Sequence, residues 1–180
     1  MPSSRSDIES IAAEIAPRMI WLQIVHLALV ASVAVFLAVM LSQGAAATED
    51  RSNVAFIALI CAAASVAMSF VLPKVFRSAG LAALRGKAEI PVEALLGPFH
   101  TGHMAGMALL ESAGFLACFA LSGGPGSVPR WFVVIPIGIL TLLLARFPRT
   151  GAVARWIERQ RDDLASGDKA DTASRDAVAP

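Results

Sequence analysis

The sequence predicts an all-α, polytopic integral membrane protein: a bundle of four transmembrane helices with both termini in the cytoplasm. Three observations lead there. The chain of 180 residues is 56% hydrophobic and only 16% charged. Its apolar residues gather into four long runs, at 19–41, 54–72, 101–121 and 131–144, the last extending to 147. Within 19–41, 54–72, 101–121 and 131–144 there is no Asp, Lys or Arg, and Glu111 is the one acid. The third observation is where the basic residues fall.

A hydrocarbon core about 30 Å thick takes roughly 20 helical residues to cross. The first three runs meet that length, and the fourth comes close once carried to 147. A helix of a soluble bundle would show polar residues on its outer face every second turn, and these runs do not. The basic residues then orient the spans. Lys and Arg number two in 1–18, four in 73–100 and seven from Arg146 onward, against one each in the two remaining connections, Arg51 and Arg130. The positive-inside rule places the more basic side in the cytoplasm. The expected location is the inner, cytoplasmic membrane, with the lipid bilayer as surroundings.

The elements follow in order. Residues 1–18 form a cytoplasmic amphipathic segment. Ser6-Asp7-Ile8-Glu9 fits a capping box, and Ile8, Ile11 and Ile15 then share one helical face ahead of Pro17. The first run is a span and not a cleaved signal peptide, because a signal core holds about 7–15 residues behind a positive segment. Here acids outnumber bases before it. The membrane domain covers 19–147. Its outer connections, SQGAAATEDRSN and SGGPGSVPR, are short and polar, so the helices they join pack as antiparallel neighbours. The cytoplasmic stretch 73–100 is expected as a loop with a helical turn after Pro91. Residues 148–180 are expected as a juxtamembrane helix, with Val153, Trp156, Ile157 and Leu164 in a loose apolar stripe, then a disordered tail from Ser166.

Several functions are disfavoured. No basic stripe interleaved with aromatics points to nucleic acid. HExxH, GxSxG and the P-loop are all missing, as is an acid pair in the spans, so no catalytic residue is assigned and no enzyme is expected. No cofactor is implied. Cys61 and Cys118 read as small packing residues.

The informative stretch is HTGHMAGMALLESAG, which opens at His100. Glu111 lies about eleven residues into its helix, where a charged carboxylate costs about 2.5–3.5 kcal/mol. It should be protonated, paired or facing a wet cavity. At 100° per residue His100, Met104, Met107, Phe115 and Cys118 share its face to within about 40°. Gly102 and Gly106 form a GxxxG pair on the opposite face, suited to close helix packing. Partners of similar depth are Gln23 and His26 on the first helix and Ser65 and Ser69 on the second. The candidate polar cluster is therefore Glu111, His26, Gln23, His100 and His103. It supports a structural hydrogen bond, a proton or cation relay, or a metal held by His100 and His103 with His26 or Glu111. No third ligand is fixed by spacing, so no metal is assigned.

The segment GMALLESAGFLACFAL resembles the acid-bearing helix of the proteolipid c subunit of rotary ATP synthases. There, small residues lead to A-L-x-E and a Phe- and Leu-rich exit. The resemblance implies a helix leaving a cytoplasmic loop, with Glu111 as proton carrier. It covers this one helix, and the glycine repeat of that family is missing from 54–72. The residues together predict a non-catalytic helix-packing or accessory membrane module, which self-associates or meets a membrane partner through its third helix. The alternative is a proton- or cation-coupled transporter or channel component using Glu111.

Overall fold

A computed structural model describes residues 5–42, 52–85, 87, 90–121 and 130–176. They form helices α1 (Arg5–Ser42), α2 (Ser52–Ala82) and α3 (Val92–Leu121), a 3-10 turn (Arg130–Val133), α4 (Val134–Ala145) and α5 (Thr150–Asp176). There is no strand among the described residues. The predicted all-α class holds. Three helices, α1 to α3, are long and apolar enough to cross a membrane, and a fourth span exists if α4 and α5 together make one. By itself α4 has 12 residues, short of the roughly 20 needed. Both expected outer connections lie largely outside the described residues.

Prolines place the helix ends differently from expectation. α1 runs unbroken through Pro17 instead of stopping before it, and already includes Ser6, the expected N-cap. A proline removes the hydrogen bond to the carbonyl four residues earlier. Here that carbonyl belongs to Ala13, and Ala13 and Pro17 are both exposed, so the freed group is not buried. α2 likewise continues through Pro73 to Ala82, and α3 starts at Val92 behind Pro91. Most of the expected loop 73–100 is therefore helix. α5 extends to Asp176, past Ser166, where composition favoured disorder.

The chain divides into two compact units. One comprises Met1–Leu22, Val75–Thr101 and Pro148–Pro180. Its core holds Ile11, Ile15 and Met19 of α1, Leu95, Leu96 and Phe99 of α3, and Val153, Ala154 and Ile157 of α5. Of the two amphipathic stripes seen in the sequence, Ile11, Ile15, Val153 and Ile157 are buried in this unit, and Ile8, Trp156 and Leu164 are half-buried. Gly80 lets α2 approach α3: a Cβ there would stand 2.6 Å from Pro98 Cγ. Arg18 forms an ion pair with Glu93, exposed on both sides. The Arg77 guanidinium lies 4.8 Å from the Phe99 ring centroid and 5.7 Å from that of Trp156.

The second unit comprises Gln23–Lys74 and Gly102–Phe147. Its core joins Val33, Met107, Leu110, Ile139 and Leu143 to a set of small residues. Ala55, Ala58, Ala62 and Ser69 give α2 a buried face at helical spacing, and Ala113, Ala117 and Ala120 are buried on α3. Where both sides of a helix pair are apolar in any surroundings, close backbone approach and dispersion hold the pair. Many larger apolar side chains of α1 and α2 point outward, Ile24, Leu27, Val35, Phe56, Ile57 and Ile60 among them. α3 is the enclosed helix: 44% of its most apolar stretch is buried, against 17% for α1 and 22% for α2. Glycine concentrates on it, at Gly97, Gly102, Gly106 and Gly114.

Candidate functional site

The α1–α3 contact in the second unit sets the site. His26 meets His103, Ser32 meets Glu111, and Phe36 meets Phe115 edge-on at 5.1 Å between ring centroids. Partners advance together along both helices, so α1 and α3 run parallel here. A Cβ on Gly114 would stand 2.7 Å from Val33 Cγ1, so that glycine admits the close approach.

Glu111 is half-buried, and its Oε1 accepts a hydrogen bond of 2.7 Å from the Ser32 hydroxyl. Among the expected partners, neither Gln23 nor His26 nor a serine of α2 makes this bond. The reason is angular. Six residues separate His26 from Ser32, which at 100° each turns their side chains about 120° apart on α1. His26 therefore faces a different neighbour.

That neighbour is a junction of three helices. His26 is fully buried, and its Nε2 lies 2.9 Å from the Leu143 carbonyl oxygen near the end of α4. A carbonyl only accepts, so Nε2 carries the proton. In a neutral ring Nδ1 is then an acceptor, and the 3.2 Å contact with His103 Nε2 assigns the donated proton to His103. The Leu143 carbonyl needs this donor because of the helix end. Pro148 has no N–H to offer Leu144, and the Phe147 N–H turns back to Leu144 O at 3.1 Å. Leu143 O is left with a 3.2 Å bond from the Arg146 N–H and with His26.

A second vacancy is filled in the same way. Pro73 deprives the Ser69 carbonyl of its helical donor. Arg146 Nη1 donates to that carbonyl at 3.0 Å and to Ser69 Oγ at 3.3 Å. The Ser69 hydroxyl in turn donates to Val66 O at 2.6 Å. Gly106 leaves room for this arrangement. A Cβ on it would fall 2.8 Å from Pro73 Cγ, 3.3 Å from Ser69 O and 3.4 Å from Arg146 Nη1. Gly106 thus packs α3 against α2 within the chain. Gly102 is buried one turn earlier.

The expected five-residue cluster does not form as one site. His26 and His103 meet, Glu111 joins Ser32 instead, and Gln23 is half-buried one turn before His26. His100 belongs to the other unit, with its Nε2 buried and without a hydrogen-bond partner there. No group of three His, Cys, Asp or Glu among the described residues is placed to hold a metal ion. Sequence reading missed Ser32 and Arg146. Arg146 was legible in principle, since a proline inside an apolar helix leaves a carbonyl that some donor must reach. Comparison with known protein families, with curated proteins and with solved structures found no match.

Proposed function

We propose that the chain is a four-span protein of the cytoplasmic membrane, with both termini in the cytoplasm, whose role is non-catalytic: a helix-packing module in which buried polar groups fix the register of neighbouring helices. The observation that carries this reading is the Ser32–Glu111 hydrogen bond, which ties the acid to the neighbouring helix. The bonds of His26 and Arg146 to backbone carbonyls act in the same sense. Polar side chains in apolar helices commonly bond across helices in this manner, at about 0.6–2 kcal/mol each.

One observation favours the alternative, a proton-coupled transporter component. The His26–His103 contact sets two imidazoles within one hydrogen bond of each other, an arrangement that suits proton transfer. Under that reading Glu111 exchanges its proton, as the likeness of its helix to the c subunit implies.

Glu111→Gln separates the two. A structural glutamate is replaced well by glutamine, whereas Glu111→Ala removes the bond between the helices at about 0.6–2 kcal/mol, with the Ser32 hydroxyl keeping only the Leu29 carbonyl of its own helix at 2.8 Å. Wild type, Gln and Ala forms are reconstituted in liposomes, a pH gradient is imposed, and its decay is followed beside thermal melts. The expected result is no wild-type proton flux and a melting order of wild type equal to Gln and above Ala. Flux in the wild type that vanishes in the Gln form would transfer support to the transporter reading.

Topology is tested independently. Tags at the N-terminus, near Lys87 and at the C-terminus should all be protected in right-side-out vesicles, and a tag near Thr48 should be accessible. Termini found on opposite sides would remove the four-span arrangement.

A further inference from the structure

We propose that Arg146 and Lys74, with the ring of Phe70 between them and the apolar surface, form a binding site for the phosphate of an anionic phospholipid. The inference rests on the chain crossing a membrane and not on the packing role of Glu111.

Arg146 is a half-buried arginine that faces no carboxylate among the described residues. Its contacts are the carbonyl and hydroxyl of Ser69, both through Nη1, and the Phe70 ring, whose centroid is 4.1 Å from Cζ. The guanidinium is thus fixed in plane and position by groups that leave its charge uncompensated. Its Nε and Nη2 donors remain, and a guanidinium presents such donors as a fork that matches two phosphate oxygens.

The second cation comes from α2. Phe70 is 47% exposed, and Lys74, also exposed, lies one turn further on the same face. Residues four apart on a helix stand about 5–6 Å apart at Cβ. Phe70 therefore brings Arg146 alongside and has Lys74 as its next neighbour on that face.

The position of the pair selects the occupant. Lys74 is the first charged residue after the uncharged stretch 52–73, which carries the exposed Phe56, Ile57, Ile60, Met68 and Val71. Arg146 is the first charged residue after 131–145, which carries the exposed Val134, Ile137 and Leu144. Each cation is the first charge after a long uncharged stretch, and such first charges mark the level at which phosphate groups meet hydrocarbon; the exposed Val75 and Phe76 follow Lys74. A free phosphate would use the cations alone. A phospholipid also covers Phe70 and the exposed apolar face leading away from it. Two cations against one phosphodiester favour a lipid with net negative charge over a zwitterionic one, whose own ammonium competes.

The test uses the full chain, purified in mild detergent, and thermal melts titrated with phosphatidylglycerol, phosphatidylcholine or inorganic phosphate. The expected result is a rise in Tm with phosphatidylglycerol that exceeds the rise with phosphatidylcholine, and none with phosphate. Lys74→Gln should weaken the apparent phosphatidylglycerol affinity about fivefold, the worth of one cation near a lipid surface. Lys87→Gln, an exposed lysine elsewhere, should leave it unchanged. Arg146→Lys keeps the charge and loses the fork, so it should weaken phosphatidylglycerol affinity while leaving some response. Arg146→Gln also strips the Ser69 carbonyl of its donor and can fail to fold, which is why Lys74→Gln carries the test. Equal responses to the two lipids, a shift reproduced by inorganic phosphate, or equal losses in Lys74→Gln and Lys87→Gln would each overturn the proposal. None of these outcomes bears on the flux measurement at Glu111.

Discussion

Gly106→Leu is expected to cost the folded protein about 2–6 kcal/mol, read as a large drop in melting temperature or in recovery from mild detergent. The estimate joins two effects. A Cβ alone would fall 2.8 Å from Pro73 Cγ and 3.3 Å from the Ser69 carbonyl. Neither is the far end of a flexible side chain, since one is a proline ring and the other is backbone. A leucine must therefore push α2 from α3, and overfilling a packed contact costs about 1–3 kcal/mol. It also drives Arg146 from Ser69 O, leaving unpaired a carbonyl that Pro73 has already stripped of its helical donor, for a further 1–3 kcal/mol or so. Gly97 supplies the control. It is an exposed helical glycine with nothing near a would-be Cβ, so Gly97→Ala should be neutral or stabilise by up to about 1 kcal/mol. A Gly106→Leu protein that melts with the wild type would mean that α2 and α3 do not approach here.

His26→Ala is the second large effect, at about 2–5 kcal/mol. The side chain is fully buried, so its removal leaves a cavity as well as two lost partners, the Leu143 carbonyl and His103 Nε2. His103→Ala should cost less, because His26 keeps its bond to Leu143 O. The double mutant should then be less unstable than the sum of the singles by more than about 0.5 kcal/mol, since the pair shares one contact. Strict additivity would show that the two rings do not interact. The melts are best run beside the Glu111 series. A loss of proton flux in either histidine variant, without loss of stability, would point to the relay reading.

The helical class and the apolar runs were readable because each depends on short-range properties of the chain. Hydropathy over 20 or so residues is a local sum, and the stripes Ile11, Ile15 and Val153, Ile157 are fixed by helical periodicity. All four of these side chains are buried as their spacing implies. Two helix ends were read less well for the same reason. Pro17 and Pro73 looked like boundaries, but a proline ends a helix only if the carbonyl it strips finds no other donor. Whether Ala13 O stays on an exposed face, or Ser69 O finds Arg146, depends on residues tens of positions away.

The sequence by itself determined that polar groups had to be satisfied inside apolar helices, because leaving them unpaired is costly wherever they lie. It singled out Glu111, His26 and His103 as residues requiring an account. Only the tertiary structure decided who answers whom. Parallel α1 and α3 fix the register so that Ser32, not His26, reaches Glu111, and the 120° or so between Ser32 and His26 turns the histidine toward His103 and the end of α4. Pairing of side chains across helices depends on the axial offset and rotation of two rigid rods. Those two quantities come from the packing of Gly106 and Gly114 against particular neighbours, and no local stretch of the sequence contains them.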